Sequence, residues 1–464
     1  FLTKISTVHG FCGDILREYA YRLDIPADFR VADENECREI RELVLSDLLD
    51  TAYESYNDAD FQAFVDTQGL GRDDRLVPQI IEKVYDSARC HLNPKQWLDT
   101  CLTLLDAENA ADASETLWGK YLIDDLHDYL DCQIRVMKSC ADQLRSSEGM
   151  EKAVINLMDT LYQLQSLRKE ETWDGIVKKR TIDYGRLVFP KKNVDLELAE
   201  RVKAARKGCK TGLERKLKSF TDGSAQVLMD LAQSAAGARG LVRLVEQFDR
   251  DYRAAKRSRR ILDFSDLEHN TLDLLLGKSR TNPTAAASEI GSRYREILVD
   301  EYQDSNGVQD AIFSALSLKK QNCFLVGDVK QSIYQFRLAD PGIFLEKYES
   351  YAPAEDAQPG QGRKVLLSHN FRSGAEVIES VNHVLTTCMT PKVGGLYYTE
   401  AEALREGVPH IPLPDAGVEL HALATVSDTY AEEAAFVADR IRDMLASDTL
   451  VRDGDTLRPV KPGD

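Results

Sequence analysis

Two adjacent carboxylates, Asp300 and Glu301, directly follow a short apolar run at residues 297–299. A buried strand ending in acids would present them at the carboxyl edge of an open α/β sheet, where such sheets bind ligands. Magnesium takes one or two carboxylates together with substrate phosphates, which makes Asp300 a candidate Mg²⁺ ligand. Glu301 is then a candidate general base for attack of water on a γ-phosphate. The alternative is an ordinary acidic strand end, but the polar residues that continue after Glu301 favour a site.

A second apolar run, residues 324–326, leads into a segment suited to both a nucleotide and DNA. Gln331 follows a Gly-Asp turn and can hydrogen-bond a phosphate oxygen, so it is a candidate sensor of the γ-phosphate. Tyr334 and Phe336 can stack on single-stranded bases, a contact worth ~1–3 kcal/mol per base, and Arg337 follows them. Either aromatic taken alone would more often be a core residue. The segment as a whole predicts a connection between the nucleotide and base stacking.

A third apolar run, residues 365–367, precedes Phe371 and Arg372. The stretch 352–362, which is rich in Pro, Gly, Gln and acidic residues, separates this run from the second and is typical of an interdomain linker. An arginine just past a strand beyond a linker can reach a nucleotide held by the first domain, as an arginine finger does. The spacing therefore predicts that Arg372 stabilises transition-state charge.

Two regions with different secondary-structure patterns must position these side chains. From about 30 to 275, apolar residues recur at three- and four-residue spacing, as at Val154, Leu157 and Leu161, which predicts a large helical block. After Pro283, short apolar runs that end in acids or glycine alternate with helical stretches, the pattern of a buried parallel sheet. We therefore expect an α/β fold with a large all-helical part.

Composition narrows the class of protein. A chain of 464 residues and 52.1 kDa is too long for one hydrophobic core, and no apolar run approaches the ~20 residues that span a bilayer. Nine scattered cysteines without a C-x2-C pair argue against a disulfide framework and against a zinc site. No secretory leader pattern is found. These features predict a cytoplasmic protein of two or three domains.

Charge is unevenly distributed, although a net charge of −18 argues against DNA binding by the whole surface. Residues 178–218 hold fourteen Lys or Arg against five acids, beginning with Lys178, Lys179 and Arg180. Aromatic residues near this basic cluster are Trp173, Tyr184 and Phe189. A second basic group comprises Arg253, Lys256, Arg257, Arg259 and Arg260. An arm that faces nucleic acid and a solvated helix face are equally good interpretations of the basic cluster.

Together the three motif segments resemble the UvrD/RecB family of superfamily 1 DNA helicases. Residues 300–309 look like the family's Walker B motif, residues 327–337 like its third motif, and residues 370–373 like its N-[YF]-R-S fourth motif. Thr7 and His9 lie in a segment similar to the family's T-x-H-[SG]-F segment, which runs along the single strand. The third motif and residues 262–267 are most similar to the helicase–nuclease subunits within the family.

The resemblance implies a domain organisation. Domain 1A, a RecA-like parallel-sheet motor domain, would comprise residues 1–20 and 256–349, with a helical insertion, domain 1B, over 21–255. A second RecA-like domain, 2A, would begin in 350–464. The family's P-loop, G-x-x-x-x-G-K-[ST], is not found, because residues 277–279 match only its end. We expect the P-loop and the later motifs to lie outside this sequence, which would make it a fragment that is inactive alone.

The family also implies a function. The chain would belong to an ATP-dependent 3′–5′ DNA helicase or translocase subunit, with a nuclease elsewhere in the parent chain, acting in double-strand-break repair by homologous recombination. ATP and Mg²⁺ would be its cofactors. Its partners would be single-stranded and duplex DNA and a second helicase–nuclease subunit, without a membrane. Alternatives are a RecB- or UvrD-type repair helicase, or a non-catalytic module that docks a partner subunit.

By the same resemblance, each site residue has an expected part. Asp300 would bind Mg²⁺ and Glu301 would activate water, while Gln331, Phe371 and Arg372 would contact the nucleotide. Glu301, Gln331 and Arg372 are the expected catalytic residues. Residues expected to contact DNA are Thr7, His9, Tyr334, Phe336, Arg337, Lys178, Lys179 and Arg180.

Overall fold

A computed structural model describes residues 3–23, 25–55, 58–69, 74–105, 110–190, 195–317, 321–334, 338–413, 417–424, 430–447, 449–454 and 456–464. The chain forms two compact units. The helical unit is His9–Leu267, and the α/β unit combines Phe1–Val8 with Glu268–Asp464. In the described part of the chain, no helix is both long and apolar enough to cross a bilayer. All nine cysteines lie in described segments and none forms a disulfide bond.

The helical unit is built almost entirely from α-helices, which confirms the helical prediction for residues 30–275. Its helices are α1 (Val8–Leu23), α2 (Glu34–Glu54), α3 (Ala59–Gly69), α4 (Val77–Arg89), α5 (Pro94–Thr103), α6 (Leu117–Arg145), α7 (Glu151–Arg168), α8 (Trp173–Lys179), α9 (Leu196–Lys216) and α10 (Ser224–Ser258). Two short strands, β1 (Arg30–Val31) and β2 (Ile261–Leu262), form a parallel pair. Helix α11 (Phe264–Leu276) begins in this unit.

Two hydrophobic clusters form the core of the helical unit. One joins α6 to α9 through side chains such as Leu126, Leu164 and Trp173. The other joins α2 to α5 with α10, and it includes stacked and edge-on contacts among Tyr85, Phe248 and Tyr252. Apolar residues at helical spacing therefore face inward, and burial of that face stabilises the long helices.

The α/β unit contains short strand pairs between helices. Its helices are the rest of α11, α12 (Ala285–Gly291), α13 (Gly307–Leu316), α14 (Pro341–Ser350), α15 (Ala375–Cys388) and α16 (Ala431–Ala446). Its strands are β3 (Ile297–Val299), β4 (Cys323–Leu325), β5 (Ala352–Pro353), β6 (Arg363–Lys364), β7 (His369–Asn370), β8 (Arg405–Glu406), β9 (Leu450–Asp453) and β10 (Thr456–Pro459). Strands β3–β4, β5–β6 and β7–β8 pair in parallel, and β9–β10 are antiparallel.

The first two predicted strands are confirmed as parallel neighbours, since Ile297 faces Cys323 and Val299 faces Leu325. Burial of this pair on both faces was a wrong prediction. Leu298 and Phe324 are 67% and 58% exposed, whereas their neighbours along each strand are half-buried. Successive strand residues point to opposite faces, so within the described residues only one face of the pair is covered.

The third predicted strand, residues 365–367, is also wrong. This apolar run lies between β6 and β7, and its side chains are 48–79% exposed. Backbone pairing is made by the flanking residues instead, with Lys364 in β6 and His369 in β7. The stretch 352–362, predicted as a linker, begins with β5. Strand β5 pairs with β6, which directly follows the stretch. A domain boundary near residue 350 stays a prediction.

Candidate functional site

The acidic pair follows β3 at a sharp turn. Glu301 has φ 50° and ψ 40°, the left-handed conformation, and this ends the strand. The Asp300 carboxylate accepts a hydrogen bond from the Glu301 backbone N–H at 3.0 Å, which fixes the turn. The Tyr302 N–H donates to the Val326 carbonyl at 2.8 Å, so the turn is also tied to the end of β4. Both carboxylates of the pair are exposed, as a site for a soluble nucleotide requires.

Buried side chains anchor the turn from beneath. Tyr302 is 1% exposed and donates its hydroxyl hydrogen to Asp310 in α13, which also accepts from Lys347 of α14 at 3.0 Å. Burial and the Asp310 charge raise the pKa of the Tyr302 hydroxyl well above its usual range, so it stays a donor. The exposed acids therefore stand above a buried tyrosine that is hydrogen-bonded to an Asp310–Lys347 ion pair.

A second support, Gln303, joins the two strand ends, and sequence reasoning missed it. It is 1% exposed; its amide N–H donates to Glu301 Oε2 at 2.7 Å, and its Oε1 accepts from the Asp328 N–H at 2.9 Å. Gly327 is required beside it, because a Cβ there would lie 2.6 Å from Gln303 Oε1. The sequence did carry a signal for this contact: a glycine follows one parallel strand and a glutamine follows the other.

The loop after β4 is organised by Asp328. Its carboxylate accepts from the Lys330 N–H at 3.0 Å, pairs with the Lys330 ammonium at 2.8 Å, and accepts from Gln331 Nε2 at 3.0 Å. Gln331 is exposed, and its amide keeps one further N–H and an acceptor oxygen for a ligand. The loop thus holds Gln331 at the end of β4, connected through Asp328 and Gln303 to Glu301.

The donor set suits magnesium bound together with a nucleotide. The described residues contain no group of three or more His, Cys, Asp or Glu side chains that could hold a metal alone. Magnesium with phosphate ligands needs only one or two carboxylates, and the exposed Asp300 supplies one. Nearby, burial and the Glu301 charge raise the pKa of Asp304, whose buried Oδ1 has no hydrogen-bond partner among the described residues. Mg²⁺ and a phosphate therefore fit the exposed side of this turn.

Arg372 and Phe371 lie in a separate turn after β7. Asn370 Oδ1 accepts from the backbone N–H groups of Arg372 and Ser373, both at 2.9 Å. Phe371 is 69% exposed and lies over Gly407, where a Cβ would come within 2.7 Å of its ring. Within the described segments, no hydrogen bond or ion pair joins Arg372 to Glu301. The structure therefore brings Asp300, Glu301 and Gln331 together but does not join Arg372 to them.

The expected DNA contacts of the motif segments are partly described. Thr7 is exposed, and the half-buried His9 ring lies 4.6 Å from the Phe264 ring, centroid to centroid. Tyr334 is 38% exposed. Phe336 and Arg337 lie outside the described residues. The aromatic and hydroxyl groups described here are accessible, and their contact with DNA stays a prediction.

Much of the basic cluster makes contacts within the helical unit. Arg180 donates to the carbonyl oxygens of Phe220 and Thr221 at 2.9 and 2.8 Å, and Lys179 pairs with Glu170 at 2.5 Å. Lys178 is exposed. Trp173, grouped with the cluster as a possible DNA-facing aromatic, is instead a core residue, 1% exposed. Phosphate binding by Lys178, Lys179 and Arg180 stays a prediction; Lys178 and Lys179 are exposed and Arg180 is half-buried.

One member of the second basic group, Lys256, is a buried residue and not a surface charge. Lys256 is 1% exposed, and its ammonium lies 2.6 Å from Asp263 and 2.5 Å from Asp266. Arg89, also buried, pairs with Asp266 at 3.3 Å and donates to the Ser265 hydroxyl at 2.8 Å. These four charges form a buried ion-pair network that joins α4 and α10 to the start of α11 and the residue before it. Lys256 is therefore unavailable to a phosphate.

Comparisons with known proteins agree with the motif geometry. Residues 2–352 match the family described as UvrD/REP helicase N-terminal domain. Relatives named as AddA, the ATP-dependent helicase/nuclease subunit, include that of Pelotomaculum thermopropionicum, 34% identical over 90% of this chain and 34% of the relative. That of Acetivibrio thermocellus is 33% identical over 87% of this chain and 33% of the relative. That of Lysinibacillus sphaericus is 31% identical over 99% and 40%. The chain spans between a third and two fifths of the length of these relatives.

Proposed function

Because this chain belongs to the UvrD/REP helicase family, we propose that it is part of the motor of an ATP-dependent DNA helicase that moves 3′ to 5′ on a single strand. The whole polypeptide would be of the AddA type, with an exonuclease elsewhere, and would act in the cytoplasm in double-strand-break repair by homologous recombination. DNA and an AddB-like subunit would be its partners. The names of the relatives favour AddA over a RecB- or UvrD-type enzyme.

One observation carries the motor assignment. The parallel pair β3–β4 ends with Asp300 and Glu301 on one strand and the Asp328–Gln331 loop on the next, and Gln303 hydrogen-bonds both. The carboxyl ends of parallel strands are where open α/β sheets bind nucleotides. An acidic pair alone would be weak support for an ATP-driven motor. An acidic pair that is hydrogen-bonded, through Gln303, to the loop of a proposed γ-phosphate sensor is more specific support.

The chemistry follows from these positions. Bound Mg²⁺·ATP supplies a phosphoryl group whose developing charge the metal neutralises. Asp300 would hold the metal, and Glu301 would accept the proton of the attacking water. Gln331 would donate an amide N–H to the γ-phosphate, Phe371 would pack against the nucleotide, and Arg372 would stabilise charge in the transition state. For this role, the turn that carries Arg372 would have to move toward Glu301.

The domain division is also a proposal. Residues 1–20 and 256–349 would form the RecA-like domain 1A, and 350–464 would begin domain 2A. The compact helical unit His9–Leu267 supports a helical insertion, 1B, although its boundaries lie outside 21–255 at both ends. DNA would run along Thr7, His9, Tyr334, Phe336 and Arg337, with Lys178, Lys179 and Arg180 as phosphate contacts.

Glu301→Gln tests the proposal in the full-length protein. The amide is nearly isosteric but cannot accept the proton, so ATP and DNA binding should persist while turnover falls by ~10²-fold or more. Glu296→Gln is the matched control, because this exposed glutamate lies at the other end of β3 and its loss should leave turnover unchanged. Phosphate release with and without single-stranded DNA measures both variants. Wild-type turnover in Glu301→Gln would contradict the assignment.

A further inference from the structure

Gln303 occupies an unusual place between the two strand ends. Its amide is buried and uses its donor and its acceptor on different loops, toward Glu301 at 2.7 Å and from Asp328 at 2.9 Å. We infer that Gln303 is a positioning residue that aims the Glu301 carboxylate according to the place of the Asp328–Gln331 loop. The inference rests on the proposed function and adds the link between phosphate sensing and the base.

The Glu301 carboxylate requires a neighbouring group that fixes its orientation. This carboxylate is exposed and extends from a left-handed turn. Among the described residues, Gln303 Nε2 is its hydrogen-bond donor, and it binds Oε2 alone. Oε1 is left to accept the proton of a water molecule. A base held through one oxygen keeps a fixed direction for the other.

The other end of Gln303 follows the phosphate-sensing loop. Its Oε1 is bonded to the Asp328 N–H, and the Asp328 carboxylate is bonded to Gln331 Nε2 at 3.0 Å. A Cβ on Gly327 would lie 2.6 Å from Gln303 Oε1, so the loop is packed closely against the amide. A shift of Gln331 on contact with a γ-phosphate is therefore passed through Asp328 and Gln303 to Glu301, over three hydrogen bonds.

A purely structural role of the Gln303 amide would change activity in a different way from a positioning role. If Gln303 only satisfied the buried Asp328 N–H, its loss would lower the stability of the turn, and activity would fall in step with stability. If Gln303 positions the base, kcat falls while the KM for ATP and the DNA affinity change little, because the Gln303 side chain is 1% exposed and would not contact either ligand. The ratio of kcat to KM effects separates the two.

The test uses the full-length protein and three variants. Gln303→Met removes both hydrogen bonds at similar volume, and Gly327→Ala displaces Gln303 without changing it. Both should lower kcat by roughly 10- to 100-fold, the size expected for a misplaced catalytic group, with KM for ATP and DNA affinity within about twofold. Asn382→Leu is the matched control, because this half-buried amide donates to the Leu404 carbonyl at 2.9 Å and accepts from the Leu404 N–H at 3.0 Å, with no hydrogen bond to either loop among the described residues. It should keep wild-type kcat even if its melting temperature falls.

The outcomes separate the inference from the proposed function. If the wild type lacks DNA-stimulated hydrolysis, or Glu301→Gln retains it, the proposed function fails. If Glu301→Gln loses turnover while Gln303→Met or Gly327→Ala keeps wild-type kcat, the proposed function stands and the positioning inference is overturned. An equal loss of kcat in Asn382→Leu would also overturn it. Should Gln303→Met not fold, Gly327→Ala decides alone.

Discussion

Replacing Lys256 by methionine should destabilise the helical unit strongly. The ammonium is 1% exposed, contacts Asp263 at 2.6 Å and Asp266 at 2.5 Å, and lies 4.0 Å from the centre of the Tyr252 ring. Methionine fills most of the same volume but carries no charge. Two buried carboxylates would then share the single guanidinium of Arg89, which pairs with Asp266.

The expected loss follows from the burial of the network. Removing one partner of a buried ion pair costs about 3–5 kcal/mol, because the remaining charge is left in a medium of low polarity. An exposed ion pair contributes about 0–1 kcal/mol. Arg253→Met on the same helix is the matched control, since Arg253 is half-exposed and pairs with Asp249 at 3.0 Å. The same charge removal should therefore cost little at that position.

Urea unfolding followed by tryptophan fluorescence measures this effect in the helical unit alone, because Trp97, Trp118 and Trp173 all lie in it. With a slope of roughly 3 kcal/mol per molar urea, the midpoint of Lys256→Met should fall by about 1 M or more. Adding Asp263→Asn to Lys256→Met should restore part of the loss, since it removes the uncompensated charge. Equal midpoints for Lys256→Met and Arg253→Met, or a further loss in the double variant, would refute the reasoning.

Three other predictions concern acid stability, DNA binding and the structural contacts of Arg180. Burial by itself would raise the pKa of Asp263, but the charge and hydrogen bond of Lys256, together with the Arg89 charge and the Asp266 backbone hydrogen bond, outweigh burial and lower that pKa from 3.8 to about 2. Its contribution to stability is therefore complete above about pH 4 and lost as the pH falls through 2, so Asp263→Asn should flatten acid unfolding over that window, followed by fluorescence. In DNA binding measured by anisotropy against salt, Lys178→Gln should reduce the salt slope by about one, and an unchanged slope would make Lys178 part of a solvated face. Arg180→Gln should instead lower stability by ~1 kcal/mol, because it removes the donor to two backbone carbonyls.

Local patterns in the sequence were sufficient for the helices and for one strand pair. Apolar spacing predicted the helical block because each helix buries one face. The runs at 297–299 and 324–326 were followed by acids and glycine, and their parallel pairing is confirmed with strand β4 at Cys323–Leu325. The acidic pair and Gln331 were predicted as site residues because polar residues at a strand end are a local signal, and their roles stay a prediction.

The errors came from contacts between residues far apart in the chain. Lys256 looked like a surface charge because its acidic partners stand seven and ten residues later, beyond the helix end, and Arg89 comes from another helix. Residues 365–367 are as apolar as a strand, yet backbone pairing selected the residues on either side. Gln303 acts through Asp328, which lies in the loop after the neighbouring strand β4, and no local pattern reveals that hydrogen bond.

The left-handed turn at Glu301 places folding stability and reactivity in opposition. A residue with a Cβ pays about 1–2 kcal/mol in that conformation, whereas glycine adopts it freely. The substitution that best suits the backbone at φ 50° is therefore the one that deletes the proposed base. A library selected for thermal resistance alone should accumulate inactive glycine variants at this position, while selection for turnover should retain the strained glutamate.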